Sequence, residues 1–192
     1  MRLGVVLLAA GRGERFGANK LLAGYRGRPM LCAALDALRQ CGAARMAAVV
    51  SCDEAARLAR EYGCEVIWND APSAGQSHSI ALGADAMREM DAVLFLAADQ
   101  PRLTAGSLAR LIEQHRLSSK GLACLQDETH RGNPAIFSAA YYAELSALSG
   151  DRGAKGILRA HEDDLLVVSC LCPHELADAD TPEALAEIAA LG

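Results

Sequence analysis

The chain has 192 residues, 52% of them hydrophobic, and a formal net charge of −5 at pH 7. This length and composition predict a globular protein in which residues 1–192 form a single domain, and they exclude a disordered chain. The negative charge argues against nucleic-acid binding, which needs many basic contacts to phosphates.

The sequence also predicts a cytoplasmic protein that has no contact with a membrane. Met1 and Arg2 lead directly into an apolar run, without a signal peptide. The longest apolar runs are much shorter than a membrane span. The seven cysteines are odd in number and sit mostly within apolar runs, as is typical of a reducing compartment. The spacing of Cys170, Cys172 and His174 matches no zinc template.

Apolar, strand-forming runs alternate along the chain with segments of helical period. The predicted strands are 3–9, 46–51, 64–68, 92–98, 121–125, 134–138 and 165–171. The predicted helices are 29–41, 53–62, 79–90, 104–116, 139–148, 152–160 and 182–191. This alternation predicts a three-layer α/β/α sandwich with a mostly parallel sheet. Ligands of such sheets bind beyond the carboxyl ends of the strands.

Residues 3–28 begin with an apolar run and continue into a basic, glycine-rich loop. The loop contains Gly11, Gly13 and Gly17 and the basic residues Arg12, Arg15, Lys20, Arg26 and Arg28, against the single acid Glu14. Glycine lets the backbone approach an anion closely, and backbone N–H groups and basic side chains then bind it. The pattern therefore predicts a phosphate site, although its spacing matches neither a P-loop nor the dinucleotide fingerprint. A plain turn with solvated arginines is the alternative.

Polar residues follow several other predicted strands. Asp99 comes just past the run 92–98, where an acid is either a turn residue or a ligand for a hard cation. Ser77 or Ser79 could cap the helix after the loop 69–80, and Asp151 could cap the helix at 152–160. Helix N-termini favour anions, but capped helix starts with solvated charges explain these stretches equally well.

The loop at residues 8–22, which reads LAAGRGERFGANKLL, resembles the signature LAAGxSxRMGxxKLLL of the small MobA-like nucleotidyltransferases. The closest branch is the molybdenum cofactor cytidylyltransferases. Further resemblances follow in order: NxxxxxGxxxSV at 69–80, DMPxL at 99–103, GHPxxF at 132–137, GDxGAR at 150–155 and DIDTPEDL at 178–185. The resemblance runs from residue 3 to about residue 187, and the ordered set is specific for the family's fold and for nucleotidyl transfer.

The resemblance implies a nucleotide-diphospho-sugar transferase-like (Rossmann-like) fold and a role for each motif. It implies that the nucleotide is bound by Leu8, Ala9, Ala10, Gly11, Gly13, Lys20, Asn69, Gly75 and Ser79. It implies that the catalytic residues are Lys20, Arg15 and Asp99, and that Asp99 and Asp180 hold Mg²⁺. It implies that the acceptor is bound by Arg131, Asn133, Arg152 and Lys155.

Two positions near the metal pair qualify this assignment. Asp178 and Asp180 alternate along a segment that we expect to be extended, so only one of them can face the metal, and we choose Asp180. Gln100 replaces the family's usual Met, which we interpret as a peripheral change. Asn133 replaces the usual His, so any acid–base role of that His is lost, although Asn still donates and accepts hydrogen bonds.

The predicted reaction transfers CMP from CTP to the phosphate of molybdopterin and releases pyrophosphate, and a client molybdenum hydroxylase is a possible further partner. Ala10 favours CTP over GTP, because the guanylyl branch typically has Gly at that position. A guanylyltransferase and a cytidylyltransferase for a sugar or polyol phosphate are the alternatives on the same fold. A non-enzymatic alternative is a protein that binds the nucleotide or delivers the cofactor, against which Lys20, Asp99 and Asp180 together argue.

Overall fold

A computed structural model describes residues 1–11, 16, 19–150 and 153–191 of the chain. The strands are Leu3–Ala9 (β1), Gly24–Tyr25 (β2), Arg28–Pro29 (β3), Arg45–Val50 (β4), Glu65–Trp68 (β5), Ala92–Ala97 (β6), Leu122–Gln126 (β7), Arg131–Ser138 (β8) and Leu165–Ser169 (β9). The α-helices are Leu31–Arg39 (α1), Asp53–Glu61 (α2), Gln76–Ala86 (α3), Ala105–Leu117 (α4), Tyr142–Ser146 (α5), Lys155–Ala160 (α6) and Pro182–Ala190 (α7).

The central sheet has the strand order β5-β4-β1-β6-β8-β7-β9. Its strands are parallel except β8, which runs antiparallel to both β6 and β7. The short strands β2 and β3 form a separate hairpin. A mostly parallel sheet is what the alternation of strands and helices predicts, and it brings the carboxyl ends of β1 and β6 side by side.

Two hydrophobic cores cover the two faces of this sheet. Because side chains alternate along a strand, β1 contributes Val5 and Leu7 to one core and Val6 to the other. Helices α1, α2, α4 and α7 pack in the first core, and α3, α5 and α6 pack in the second. The predicted three-layer α/β/α architecture is confirmed. None of the described helices is long and apolar enough to cross a membrane.

Several local features differ from the sequence-based expectation. Helix α6 begins at Lys155, with Ala154 in the capping position, rather than at residue 152 after an Asp151 cap. Strand β8 begins at Arg131 rather than at residue 134, because the chain pairs with β7 through a register shift that accommodates Pro134. Helix α3 begins at Gln76, and neither Ser77 nor Ser79 caps it; the residue before the helix is Gly75. The β2–β3 hairpin was not predicted, since two-residue strands leave no periodic signal.

The last helix begins as the sequence predicts. The Oγ1 atom of Thr181 accepts a hydrogen bond from the backbone N–H of Ala184 at 3.1 Å, and Pro182 occupies the first helical position. Residues 170–181, which we call the connecting strap, join β9 to this helix without forming a strand of their own. The strap passes the carboxyl end of β6, where the Ala179 N–H donates to the carbonyl of Asp99 at 2.9 Å.

Candidate functional site

A cleft of about 340 Å³ opens beyond the carboxyl ends of β1 and β6. Its apolar part includes Leu8, Phe95 and Phe137, which come from three neighbouring strands. Its polar part includes Asp99, Gln100, Asn133, Lys155, Asp178 and Asp180. Residues that are far apart in the sequence therefore share one concavity, which has, among the described residues, an apolar wall suited to a flat ring, three carboxylates suited to a cation and one lysine suited to an anion.

Lys20 connects the two carboxylates that the sequence predicts as metal ligands. Its Nζ atom lies 2.7 Å from Asp99 Oδ2 and 2.9 Å from Asp180 Oδ1. Lys20 is only 8% exposed, and Asn19 ahead of it accepts a hydrogen bond from the Leu21 N–H, which fixes the start of the turn that carries it. The predicted catalytic lysine and the predicted metal pair thus form one cluster.

The charge of Lys20 is maintained by its two partners. Burial by itself lowers the pKa of Lys20, but the negative charge of Asp99 and the hydrogen bonds to Asp99 and Asp180 outweigh burial, so the pKa is raised. The lysine is therefore a protonated ammonium at neutral pH. A buried ammonium between two carboxylates is a counter-ion that can also interact with phosphate oxygens entering the cleft.

The two carboxylates have a geometry that suits a divalent cation. Because both oxygens bond the same ammonium, they are less than about 6 Å apart. The Lys20 ammonium lies between them, where the two negative charges favour a cation. Among the residues that the structure describes, no group of three or more His, Cys, Asp or Glu side chains is arranged to hold a metal ion. Two carboxylates still fit Mg²⁺, which typically takes one or two of them and completes its octahedron with phosphate oxygens and water.

The expectation that Asp178 points away from the cleft is wrong, because Asp178 and Asp180 both line it. The strap pairs with no strand of the sheet, so the two-residue alternation of a paired strand does not fix the direction of its side chains. The pKa of Asp178 is raised, first by desolvation of its carboxylate among the neighbouring atoms and then by the charges of Asp99 and Asp180, although the residue as a whole is exposed to solvent. The two carboxylates differ in partner: Asp180 bonds Lys20, whereas Asp178 accepts a hydrogen bond from Gln100 at 3.0 Å.

The interpretation of Gln100 as a peripheral substitution is also wrong. Gln100 is 4% exposed and hydrogen-bonds three groups. Its Nε2 donates to the carbonyl of Leu176 at 3.2 Å and to Asp178, and its Oε1 accepts from Asn133 Nδ2 at 3.0 Å. It therefore connects β8 to the strap across the floor of the site, a role that the local sequence does not reveal.

Glu175 holds the strap in place, and sequence reasoning missed it. It is 1% exposed and accepts hydrogen bonds from the N–H and Oγ1 of Thr104, the Oγ of Ser107 and the N–H of Cys172, at 2.8 to 3.0 Å. These donors attach the strap to the first turn of α4. A charged residue inside an otherwise hydrophobic, cysteine-containing stretch was the available signal.

Asp127 is a second anchor of the strap. Its Oδ2 accepts a hydrogen bond from the Leu176 N–H at 3.1 Å, and its Oδ1 accepts from the N–H groups of Thr129 and His130. Burial by itself raises the pKa of Asp127, but these backbone hydrogen bonds outweigh burial and lower it. The strap is thereby fixed on both sides of Leu176, close to the carboxylates that it carries.

The residues predicted to read the base form a buried support under the 69–80 loop. Asn69 Nδ2 donates to Ser79 Oγ at 2.9 Å, and the N–H of Ala71 donates to Asn69 Oδ1 at 2.9 Å. Gly75 has a φ of +92°, a conformation that L-residues rarely adopt, so glycine is required there. Asn69 and Ser79 thus satisfy each other and set the path of the loop, with Gly75 at the point nearest α3.

The predicted phosphate loop is only partly described. Leu8 lines the cleft, Ala9 and Ala10 are buried at the end of β1, and Gly11 is exposed beyond it. Gly13 and Arg15, to which the sequence assigns nucleotide binding and catalysis, lie outside the described residues.

The residues assigned to the acceptor separate into two places. Asn133 and Lys155 line the cleft, whereas Arg131 does not; Arg131 Nη2 donates to Glu162 Oε2 at 2.8 Å. Arg131 instead lines an adjoining groove, which shares Gly132 and Lys155 with the cleft. Arg152 lies outside the described residues.

Comparisons with known proteins agree with the fold and identify a family. Residues 5–165 match the family model described as MobA-like NTP transferase domain. A probable molybdenum cofactor guanylyltransferase of Pyrococcus horikoshii is 29% identical over 81% of this chain and 78% of its own length. A protein of Paenarthrobacter nicotinovorans named nicotine blue oxidoreductase is 30% identical over 93% and 92%. The structure of Rv0371c from Mycobacterium tuberculosis H37Rv in complex with manganese superposes with a TM-score of 0.78, at 24% identity and with 99% of each chain covered.

Proposed function

The chain belongs to the MobA-like NTP transferase family, and we propose that this nucleotidyltransferase moves CMP from CTP to the phosphate of molybdopterin and releases pyrophosphate. The observation that carries the proposal is the cluster of Lys20 with Asp99 and Asp180 at the mouth of a cleft with an apolar wall. This cluster supplies one positive group for phosphate oxygens and two carboxylates for a divalent cation. The acceptor named in the proposal follows from the motif resemblance and is supported by the guanylyltransferase relative, which is a probable molybdenum cofactor enzyme by name.

The proposed reaction is an in-line displacement at the α-phosphorus of CTP. An oxygen of the acceptor phosphate forms a new bond to that phosphorus, and the bond to the bridging oxygen of the β-phosphate breaks, so pyrophosphate leaves with the electron pair. A phosphate oxygen is already ionised at neutral pH, so no strong general base is required. Catalysis then depends on positioning and on neutralising charge.

Lys20 has the properties that the charge-neutralising step requires. Its raised pKa keeps it protonated, and its Nζ bonds Asp99 and Asp180, two carboxylates that line the cleft. We propose that the Lys20 ammonium moves from the carboxylates toward the α-phosphate as negative charge grows there. The described residues offer a second ammonium, Lys155, on the acceptor side of the same cleft.

Asp99 and Asp180 would hold Mg²⁺ when the nucleotide enters. A divalent cation there supplies Lewis-acid neutralisation of the triphosphate oxygens. The manganese complex of the M. tuberculosis protein supports a divalent cation in this fold, although manganese is the ion in that structure. The two carboxylates bond Lys20 in this structure, and with a cation held between them the Lys20 ammonium would be available to the phosphate oxygens.

CTP is the proposed nucleotide, and GTP is the competing candidate. Ala10, which is buried at the end of β1, favours CTP by resemblance, whereas the relative from P. horikoshii carries the name of a guanylyltransferase. The acceptor side of the proposal assigns Asn133, Lys155 and, in the adjoining groove, Arg131 to molybdopterin. A molybdenum hydroxylase is the proposed recipient of the product.

Two measurements test the proposal. With a divalent cation present, we expect CTP to raise the melting temperature more than GTP, ATP or UTP, because a ligand that binds only the native state stabilises it by mass action. With molybdopterin added, we expect CTP to release pyrophosphate. A larger shift and faster release with GTP would make the protein a guanylyltransferase. Release with a sugar or polyol phosphate, and none with molybdopterin, would replace the acceptor.

A further inference from the structure

We propose that Asn133 is a specificity-determining residue whose side-chain oxygen faces the cleft and accepts a hydrogen bond from the acceptor, and that Gln100 is the positioning residue that turns it this way. The proposal rests on the proposed function only in taking the acceptor as the molecule bound beside Asn133. The orientation itself follows from three linked hydrogen bonds.

The first link is the backbone carbonyl of Leu176. The end of the Gln100 side chain that faces this carbonyl lies 3.2 Å from its oxygen. A backbone carbonyl can only accept a hydrogen bond, so the facing group must be the NH₂ of Gln100. The assignment of nitrogen and oxygen in this amide is therefore fixed by a group that has no alternative role.

The second link carries the orientation to Asn133. The remaining proton of the Gln100 NH₂ points to Asp178 Oδ1 at 3.0 Å, so both amide protons are used. The other end of Gln100 is its oxygen, which can only accept, and it lies 3.0 Å from the amide of Asn133. Asn133 must present its own NH₂ to this oxygen.

The third step concerns the Oδ1 atom of Asn133, which lies at the end of the amide that does not bond Gln100. Asn133 is half-buried and lines the cleft, and no donor among the described residues bonds its Oδ1. Gln100 is 4% exposed, so its hydrogen-bond partners are protein groups rather than solvent, and they hold the Asn133 amide in this orientation. The cleft wall therefore offers an acceptor oxygen at a fixed place, and it selects a bound molecule that presents an O–H or N–H group there.

The side chain of Lys155 packs against the residue that precedes Asn133. Gly132, next to Asn133, has a φ of +115°, and a Cβ at that position would lie 3.2 Å from Lys155 Cγ. Glycine thus leaves room for the stem of Lys155 against the backbone, and Lys155 lines the same cleft as Asn133. The preferred acceptor carries an anionic group for Lys155 and a neutral hydrogen-bond donor for Asn133.

The orientation is tested on the protein alone by NMR of its side-chain amides. In the wild type we expect the Gln100 NH₂ to exchange slowly with water and to show a nuclear Overhauser contact with the Asn133 NH₂. The amide of Gln40, which is exposed and donates only to the carbonyl of Asp36 at 3.1 Å, serves as the solvent-exposed control. An Asn133 NH₂ that exchanges as quickly as that of Gln40, with no contact to Gln100, would overturn the proposal.

The selectivity is tested by steady-state kinetics with molybdopterin and CTP as the probes. We expect Asn133→Leu to raise the KM for molybdopterin about fivefold, the effect of one lost hydrogen bond, with the KM for CTP unchanged. Gln100→Met should raise the same KM less, and the double variant should match Asn133→Leu, because Gln100 acts through Asn133. Gln40→Met is the matched control and should change neither constant.

The possible failures are distinguishable. An unchanged molybdopterin KM in Asn133→Leu overturns the selectivity role. Should Gln100→Met fail to fold, Asn133→Leu still decides, since Asn133 is only half-buried. A wild type that releases no pyrophosphate with molybdopterin contradicts the proposed function, while the NMR result still decides whether Gln100 orients Asn133.

Discussion

Two carboxylates of the connecting strap, Glu175 and Asp180, are only five residues apart, but one is buried among neutral donors and the other is exposed beside a cation. Glu175 is 1% exposed and accepts four hydrogen bonds, all from neutral backbone or hydroxyl donors. The side chain of Asp180 is 45% exposed and bonds the ammonium of Lys20. A carboxylate saturated by fixed neutral donors holds structure, whereas one paired with a cation at a cleft can exchange that cation for another. Substitution of Glu175 should therefore change mainly the stability of the protein, whereas substitution of Asp180 should change mainly its activity.

The largest effect should come from the carboxylates at the cleft. We expect Asp99→Asn and Asp180→Asn each to reduce the rate of pyrophosphate release by the equivalent of roughly several kcal/mol, because each substitution keeps the shape but removes a charge that we propose as a ligand of the divalent cation. The double variant should be little worse than either single variant, since the residues act as a unit. The measurement is kcat/KM, with circular dichroism to confirm the fold.

The control for this pair is Asp85→Asn, which changes an exposed carboxylate on α3 that bonds Arg88. It should leave the rate unchanged. A normal rate in Asp180→Asn would move the second metal ligand to Asp178, which lines the same cleft.

Lys20→Ala should have the next largest effect. We expect kcat to fall about 100-fold or more, with a smaller change in KM, because the ammonium matters most as charge builds on the transferring phosphate. Lys120→Ala removes an exposed lysine far along the chain and should change neither constant. A Lys20→Ala enzyme with wild-type kcat and a raised KM would make Lys20 an ordinary binding residue.

Glu175→Gln tests the buried carboxylate of the strap. The free energy of unfolding should fall by about 2 kcal/mol, because the NH₂ group of glutamine would face N–H and O–H donors that now bond a carboxylate oxygen. Urea denaturation measures this loss, and kcat well below the melting temperature should change far less than in Asp180→Asn. Glu187→Gln, on the exposed side of α7, is the matched control. An unchanged urea midpoint in Glu175→Gln would remove its assigned role as the anchor of the strap.

The smallest expected effect concerns His115, a buried polar residue of a third kind. It is 5% exposed, and neither ring nitrogen has a hydrogen-bond partner among the described residues. Burial lowers the pKa of His115. The backbone groups of Gly121 and Lys120 lie close enough to offset part of this effect, but they form no hydrogen bond of normal geometry with the ring. The neutral ring is therefore the form that the folded protein prefers.

The sign of the pH effect follows from that lowered pKa. The folded state binds the proton less readily than the unfolded state, so stability is fully present above the ordinary histidine pKa of about 6.5 and is lost as the pH falls through the folded value. Urea midpoints of the wild type and of His115→Leu should diverge in this direction between neutral and acidic pH. Parallel pH profiles would contradict it.

Motifs that are contiguous in the sequence were predicted with success. The alternation of apolar strands and helical periods is enough for the fold class, because side chains on regular elements repeat every two or 3.6 residues. Lys20, Asp99 and Asp180 were assigned to one site from their motifs, and the structure brings them together. The ends of parallel strands meet at one edge of a sheet, so residues that follow such strands converge without any long-range information.

Only the tertiary structure decided what happens where the chain is irregular. Gln100 meets Asn133 and Asp178 across separations of 33 and 78 residues, and Glu175 meets Thr104 across 71. Along the strap no backbone period sets the direction of a side chain, so long-range hydrogen bonds set it and turn both Asp178 and Asp180 toward the cleft. Arg131 was directed away from the cleft in the same manner, by a carboxylate 31 residues further on. The sequence by itself determined which elements form and which edge of the sheet carries the site, because those depend on local periodicity; the orientation of the polar groups within the site depends on partners that only folding brings into contact.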